Sequence, residues 1–371
     1  GYMGSWEFPG SGVQRATTFY GANGQPLQYS PYLTYREGVI PNQNIRWETA
    51  TKSNVGVEIA VLNDRLTFEM DVFQDHRNDI FMTAARRNVP SFFGAAPVAA
   101  NLGETKTKGY EMTLGYGKAS DTGIGYQFMV GMTRAIDVVL RSEDPMLLPD
   151  YQKVVGFQIG QTRTQVHTGF LNNWDDLYAS APVETNMAQR LPGDWDMLDF
   201  NGDGVINTLD NVAYGFPDRP EKTYNASMGL NYKKLSLWVQ FFGVTNINFR
   251  TPYVTPALQR WTAVSSELGD YWTPEDQEAF YKAPRLTTSS PTGQFGLYDG
   301  SYLRLKTVEV AYVLEGGWLQ QLGVSNARVS LNGNNLFFWS ELPMDRETGS
   351  FDIQGGYPMY KQFNLGLEIT F

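Results

Sequence analysis

Cysteine is absent from the 371 residues, which excludes a disulfide framework, a thiol nucleophile and a thiolate metal site. Histidine is nearly absent. His76 and His167 are the only two, and neither has a second metal-type ligand at helical spacing, so each is expected as a strand-end or loop residue. No apolar run approaches the roughly 20 residues a membrane helix requires. That excludes a helical membrane protein but not a β-barrel, whose short strands turn only every second residue to lipid. Positive charge is in deficit: 29 Lys and Arg against 39 Asp and Glu give a net charge of −10. Nucleic acid, which demands a basic footprint, is excluded as a partner, and no contiguous basic stretch is present to dock on anionic lipid. Also lacking are a Gly-x-Ser-x-Gly elbow, a phosphate-cradling loop and a dinucleotide fingerprint. Adjacent carboxylates such as Asp175-Asp176 set no fixed separation for glycosidic acid–base work and are expected as a solvated acidic loop. The chain is not expected to be an enzyme. It opens with Gly1-Tyr2-Met3 and no basic, apolar leader, so no signal peptide is expected in this segment.

What is present is aromatic and turn-rich: 21 Tyr, 22 Phe and 9 Trp, with 37 Gly and 19 Pro. Such aromatic content suits the girdles of a membrane barrel. Apolar and polar residues alternate over 55–61, 66–72, 110–116, 126–132, 224–232, 235–241 and 363–371, the period of a strand with two unlike faces. In the last run Phe363, Leu365, Leu367, Ile369 and Phe371 alternate with Asn364, Gly366, Glu368 and Thr370. Two further strands are predicted at Tyr302–Leu314 and 328–338; the first breaks phase near 306–308, which predicts a bulge. About nine strands result. Helix is limited to short candidates at 317–322 and 274–281.

The connections fix a polarity. Asn63-Asp64, residues 119–122, Lys233-Lys234 and the moderate link 315–327 alternate with the much longer 83–106, 136–222, 247–300 and 339–360. Tight turns inside and long loops outside are the habit of a bacterial outer-membrane barrel; a compact soluble domain rarely holds several long loops. Residues 1–44 are expected mainly as loop, 45–135, 223–246 and 301–371 mainly as strands, and 136–222 and 247–300 as long extracellular loops. The last strand then runs inward and ends in the periplasm. Glu58, Glu69, Asp71, Glu111 and Glu368 are expected on the inner face, since carboxylates toward hydrocarbon are costly. The alternative arrangement is a soluble β-sandwich that buries its apolar faces against each other.

Several local motifs, in order, resemble the SusC/RagA family of TonB-dependent transporters from about residue 44 onward. Asn44-Ile45-Arg46-Trp47-Glu48 and Asn54-Val55-Gly56-Val57-Glu58 are similar to its Trp-Glu strand and the Asn-apolar-Gly segment after it. Asn101-Leu102-Gly103 and Thr107-Lys108-Gly109-Tyr110-Glu111 are similar to its Asn-x-Gly and Asn-Lys-Gly-apolar-Glu patterns, with Thr107 in place of the usual Asn. Asp199-Phe200-Asn201-Gly202-Asp203-Gly204 matches its acidic Gly loop, and Tyr302-Leu303-Arg304-Leu305-Lys306 its Tyr-x-Arg-Leu-Lys strand. Gly333-Asn334-Asn335-Leu336-Phe337 resembles its Asn-Leu-Phe element, and Tyr357-Pro358 precedes a last strand ending in Phe.

The resemblance implies a 22-stranded barrel with a plugged lumen in the outer membrane, in contact with its lipid. It implies a SusD-like surface lipoprotein as a lid, and import of oligosaccharides or peptides driven by TonB. This chain would be the C-terminal portion, with the plug, the TonB-contacting segment and the early strands outside it. Readings of other classes are a porin or siderophore-type receptor, and a secreted Ca²⁺-dependent binding or scaffold β-protein.

The sharpest local motif is a calcium-type loop. Asp199, Asn201, Asp203, Asn207 and Asp210 supply oxygens at positions 1, 3, 5, 9 and 12; Val205 supplies the carbonyl position, and Gly204 permits the sharp turn. Asp210 replaces the usual Glu, as in dockerin-like loops. The expectation is structural Ca²⁺ that staples the 136–222 loop; the alternative is an ion-free Asn/Asp/Gly turn. Trp174, Trp195, Trp261 and Trp272, in the long loops, are candidate contacts for substrate or lid, through aromatic faces that stack on sugar rings or peptide side chains. The competing role for each is loop packing.

Overall fold

The computed structural model describes residues 19–20, 26–27, 42–90, 92, 97–120, 123–184, 190–250, 270–279, 281–284, 293–342 and 359–371. Nine long strands form one antiparallel sheet in which every strand pairs with its sequence neighbours. They are β1 (Thr49–Val61), β2 (Leu66–Met82), β3 (Ala100–Lys118), β4 (Ile124–Arg141), β5 (Lys222–Tyr232), β6 (Leu235–Thr245), β7 (Tyr302–Leu314), β8 (Asn326–Ser340) and β9 (Gln362–Thr370). Among the described residues the helices are short: α1 (Trp174–Ala179) and α2 (Gly317–Gln321). The second meets the expectation for 317–322. The helix expected at 274–281 does not form. Thr273 and Asp276 instead exchange N–H···O bonds at 3.0 and 3.1 Å and close a tight turn, while Trp272 N–H donates to the Tyr281 carbonyl at 2.7 Å.

Register carries the alternation across the whole sheet. Ile59, Phe68, Leu114, Val130, Ala226, Phe241, Leu305 and Phe337 are successive cross-strand partners from β1 to β8. A second row runs Val61, Leu66, Tyr116, Phe128, Met228, Val239, Val308, Gly333 and Phe363. A one-residue slip anywhere would turn a strand's apolar set to the wrong face. The bulge expected in β7 is present, as register shifts between Gln240 and Phe241 and between Leu305 and Thr307. These rows face outward: Leu114 is 48%, Val130 54% and Phe337 54% solvent-exposed. A sandwich would have covered them with a second sheet; among the described residues the other sheets are all two-stranded, and exposed apolar rows of this kind suit a bilayer.

The other face is polar. Glu58 lies opposite Glu69, Asp71 opposite Glu111, and Glu368 opposite Arg328, which pairs with Glu309 at 2.5 Å. Gly109 occupies the face where Phe73 crosses from β2; a Cβ there would come under 3.0 Å from that ring and from the Arg134 carbonyl, so only glycine fits.

The strands β2, β3 and β4 run for 17, 19 and 18 residues. At about 3.3 Å per residue they reach roughly 60 Å, and at barrel tilt they rise well above an apolar band about 25 Å tall. Turns 62–65 and Lys233-Lys234 close the inner ends, so the surplus length stands on the outer side. It carries the loops 83–99, 142–221 and 246–301.

Candidate functional site

The polar face and the loop 142–221 border an open trough of ≈ 1430 Å³. Asp71, Glu111 and Asp137 line the strand side, and Phe157, Arg163 and Arg219 the loop side. Asp137 accepts the Ile159 N–H at 2.8 Å and Asp144 the N–H groups of Val154 and Val155 at 3.1 and 2.9 Å. The loop is thus tied to the wall. Arg163 donates to the carbonyls of Tyr151 and Lys153 and lies 4.5 Å over the Phe157 ring. Burial pulls its pKa down from the ordinary guanidinium value, though not out of the charged state.

Two clamps hold the outer rim. Glu143 takes the Arg87 guanidinium in a fork at 2.6 and 2.9 Å and also accepts Asn88 N–H at 2.9 Å. The Arg87 hydrogen bond holds the Glu143 carboxyl below its usual range against the opposing effect of burial. Asn101 clamps the approach to β1: its Nδ2 donates to the carbonyls of Arg46 at 2.8 Å and Asp79 at 2.7 Å, and its Oδ1 accepts Arg46 N–H at 3.0 Å. Arg46 in turn pairs with Asp79 at 2.5 Å, and Asp79 holds a positive φ of 57° at a bulge.

Above the trough the loops 142–221 and 246–301 fold together. Short strands Gln161–Thr164 and Val212–Pro217 pair, as do His167–Phe170 with Trp195–Met197 and Asn248–Arg250 with Leu297–Asp299. Their shared core is Val183, Trp195, Met197, Ile206 and Phe295. Trp195 stacks on His167, with centroids 5.3 Å apart, and meets Phe295 in a tilted contact at 4.3 Å. Burial lowers the His167 pKa, favouring the neutral ring. A buried ion pair, Lys282 with Asp194 at 3.9 Å, and the Ala283 N–H donated to Gly193 at 2.9 Å join the two loops.

The candidate metal ligands lie at the edge of this core. Ile206 anchors the loop: its N–H donates to the Pro182 carbonyl at 2.7 Å and its carbonyl accepts Glu184 N–H at 3.0 Å. Asp199 accepts the N–H groups of Gly202 and Gly204 at 2.8 and 2.7 Å. Asp203 accepts those of Val205 at 2.9 Å and of the Asn201 side chain at 2.8 Å. Buried Asp210 accepts Phe200 N–H at 2.9 Å and Asn207 N–H at 2.8 Å, while Asn207 accepts Leu209 N–H at 2.6 Å. The carboxylates are turned to the loop's own amides. Among the described residues, no three His, Asp or Glu side chains converge as a metal cluster.

The four tryptophans have separate fates. Trp195 is 1% exposed and lies inside the loop core. Trp272 is buried and donates its Nε1–H to Asn172 at 2.9 Å. Trp174 presents its ring to solvent on α1, stacked on Tyr178 with centroids 6.2 Å apart. Trp261 lies outside the described residues. His76 pairs with Glu104 at 2.7 Å on the wall, and His167 belongs to the loop core.

Sequence reasoning missed both clamps and the Asp194–Lys282 pair. The motif residues Arg46 and Asn101 were visible, but 55 positions of separation hid their contact.

Comparison with known proteins bears on the whole arrangement. The family described as "TonB dependent receptor-like, beta-barrel" matches residues 5–336. TonB-dependent receptor P26 of Formosa agariphila is 27% identical over 89% of the chain and 35% of its own length. TonB-dependent receptor SusC of Bacteroides thetaiotaomicron is 23% identical over 95% of the chain and 35% of its own length. Among solved structures, the RagAB peptide importer in its open-open state superposes with a TM-score of 0.71 at 18% identity, over 92% of this chain and 37% of that one. The RagAB peptide transporter gives 0.69 at 19%, over 92% and 38%. The chain thus spans little more than a third of the relatives it matches.

Proposed function

The chain belongs to the TonB-dependent receptor-like β-barrel family, a family of outer-membrane proteins, and from that premise we propose that it forms the C-terminal wall and surface loops of a TonB-driven importer of oligosaccharides or peptides. The carrying observation is the pairing of a lipid-facing apolar sheet with a polar trough of ≈ 1430 Å³ on its inner side. A SusD-like surface lipoprotein acts as the lid above the folded loops. This reading is supported by the likeness to a SusC receptor and to the fold of the RagAB importer. Isolation of the complete transporter from outer membranes, followed by growth on defined oligosaccharides and peptides with and without TonB, tests it. TonB-dependent growth and co-purification of one surface lipoprotein are expected. Uptake indifferent to TonB, with no lipoprotein attached, would point to a porin instead.

The loop at 199–210 we propose as a structural Ca²⁺ site, on the strength of its ligand spacing and of its anchorage through Ile206. Bound Ca²⁺ would draw Asp199, Asp203 and Asp210 toward one centre and staple the surface loop without taking part in transport chemistry. Calcium is expected to slow proteolysis of 142–221, with chelator or Asp203→Ala reversing the protection. Equal cleavage rates under all these conditions would leave the ion-free turn as the answer.

A further inference from the structure

Above the apolar band the outward face of the sheet changes character. The row Val57, Met70, Met112, Met132 and Tyr224 is followed by Val55, Val72, Tyr110, Arg134 and Lys222. The next rows are Gln74, Lys108 and Ile136, then His76, Lys106 and Val138. Four cations from three adjacent strands therefore share one face. Lys106, Lys108, Tyr110, Arg134, Ile136 and Val138 line a groove of ≈ 510 Å³ there. Their odd-numbered neighbours Thr105, Thr107 and Asp137 line the trough on the opposite side.

The position of this groove follows from the strand directions. β3 enters from the outer loops and β4 returns to them, so Lys106 and Lys108 lie toward the cell surface beyond Tyr110, and Arg134 lies level with Tyr110, one row beyond Tyr224. Residues at this level of a barrel meet lipid headgroups. Directly opposed positions lie about 5 Å apart and diagonal ones about 7–8 Å, so Arg134, Lys108 and Lys222 can close on a single anion. A second observation concerns Arg134 itself: its Nε is shielded from solvent yet has no hydrogen-bond partner among the described residues. A shielded guanidinium donor calls for an acceptor. Glu104, the carboxylate adjoining the groove in sequence, is taken by His76 at 2.7 Å.

We infer that this groove binds the phosphate of an anionic outer-leaflet lipid, with Arg134 as the fork, Lys106, Lys108 and Lys222 as flanking charges, and Met112 and Met132, one row nearer the hydrocarbon, against the lipid's apolar root. A lipid is the fitting occupant because the groove is continuous with the hydrocarbon-facing rows and opens to the bilayer side. Clustered cations beside apolar surface are the usual recognition chemistry for such headgroups. The chain as a whole carries a net charge of −10, so general electrostatic attraction of anions does not account for it. No run of basic residues announces the patch, because strand register, not chain contiguity, assembles it.

The complete transporter, purified in detergent, can be titrated with bisphosphorylated lipid A, with dephosphorylated lipid A and with inorganic phosphate, and bound lipid counted by native mass spectrometry. Saturable binding of the phosphorylated lipid is expected. The triple variant K106Q/K108Q/R134Q should bind it about 10²-fold more weakly, and dephosphorylated lipid should bind poorly to both proteins. Equal binding of the two lipids, or unchanged affinity in the triple variant, would overturn the assignment. So would displacement of the lipid by equimolar inorganic phosphate, which would mark a free-ion site. Should the triple variant fail to assemble, Lys108→Gln and Arg134→Lys replace it: several-fold weakening in each supports the site, and wild-type affinity in both removes it.

Discussion

Asn101 treats the backbone of Arg46 as a neighbouring strand, donating its side-chain amide to the Arg46 carbonyl at 2.8 Å and accepting the Arg46 N–H at 3.0 Å. The pairing carries the chain into β1 and pins it to the bulge at Asp79. Asparagine alone supplies a donor and an acceptor in this geometry; aspartate keeps the acceptor, loses the donors and adds a second carboxylate beside Asp79.

Replacement of Asn101 by alanine is therefore expected to loosen residues 44–48 by about 1–2 kcal/mol, the net worth of two or three partly exposed hydrogen bonds. Amide hydrogen exchange at Arg46 reports this directly: it should accelerate, and more so in Asn101→Asp. Unchanged exchange there would mean that the clamp does not hold the segment.

The Glu143–Arg87 fork makes the rim sensitive to acid. The Glu143 pKa is lowered in the folded protein by its hydrogen bond to Arg87. A carboxylate so shifted contributes stability above its unfolded value, which is lost as pH falls through the lowered folded value. Protease cleavage within 83–90 and 142–148 should thus be slow at neutral pH and rise only below the ordinary carboxylate range. Glu143→Gln should bring fast cleavage at every pH. Equal cleavage of the two proteins at neutral pH would remove the fork from the account.

The loop tryptophans separate packing from surface roles. Trp195→Ala opens a cavity in the core shared with Met197 and Phe295 and should cost the loop assembly about 3–5 kcal/mol. Trp174→Ala, on the exposed face of α1, should stay within about 0.5 kcal/mol. Thermal unfolding followed by cleavage within 142–221 distinguishes them; similar behaviour of the two variants would contradict the placement of Trp195.

The wall was legible wherever its two faces meet unlike media. Val55 to Val61 and Phe363 to Ile369 alternate because one side meets hydrocarbon and the other water, and the strands predicted there stand as β1 and β9. Beyond Val72 the alternation fades although β2 continues to Met82. Above the hydrocarbon both faces meet headgroups, water or loops, as at His76 and Arg77, so periodicity no longer marks the strand. The bulge in β7 was legible from the phase break at Lys306. The loop core was not. Trp195, Ile206 and Phe295 come together from segments about 90 residues apart, and a tryptophan destined for that core carries the same local sequence cues as one on the surface. The acidic Gly loop announced its spacing, but the partners of its carboxylates are a matter of three-dimensional closure.

The central claim is that alternate residues of each strand face lipid and a wet interior. This chain has no cysteine, so single cysteines can be placed one at a time from Asn54 to Val61 and from Phe363 to Thr370 in the membrane-embedded transporter, with any cysteine outside this chain replaced by serine, and spin-labelled. Accessibility to oxygen should peak at Val55, Val57, Ile59, Leu365 and Leu367. Accessibility to a water-soluble nickel chelate should peak at Asn54, Gly56, Glu58, Gly366 and Glu368. Oxygen and nickel profiles that rise and fall together, or apolar positions shielded from both reagents, would contradict it.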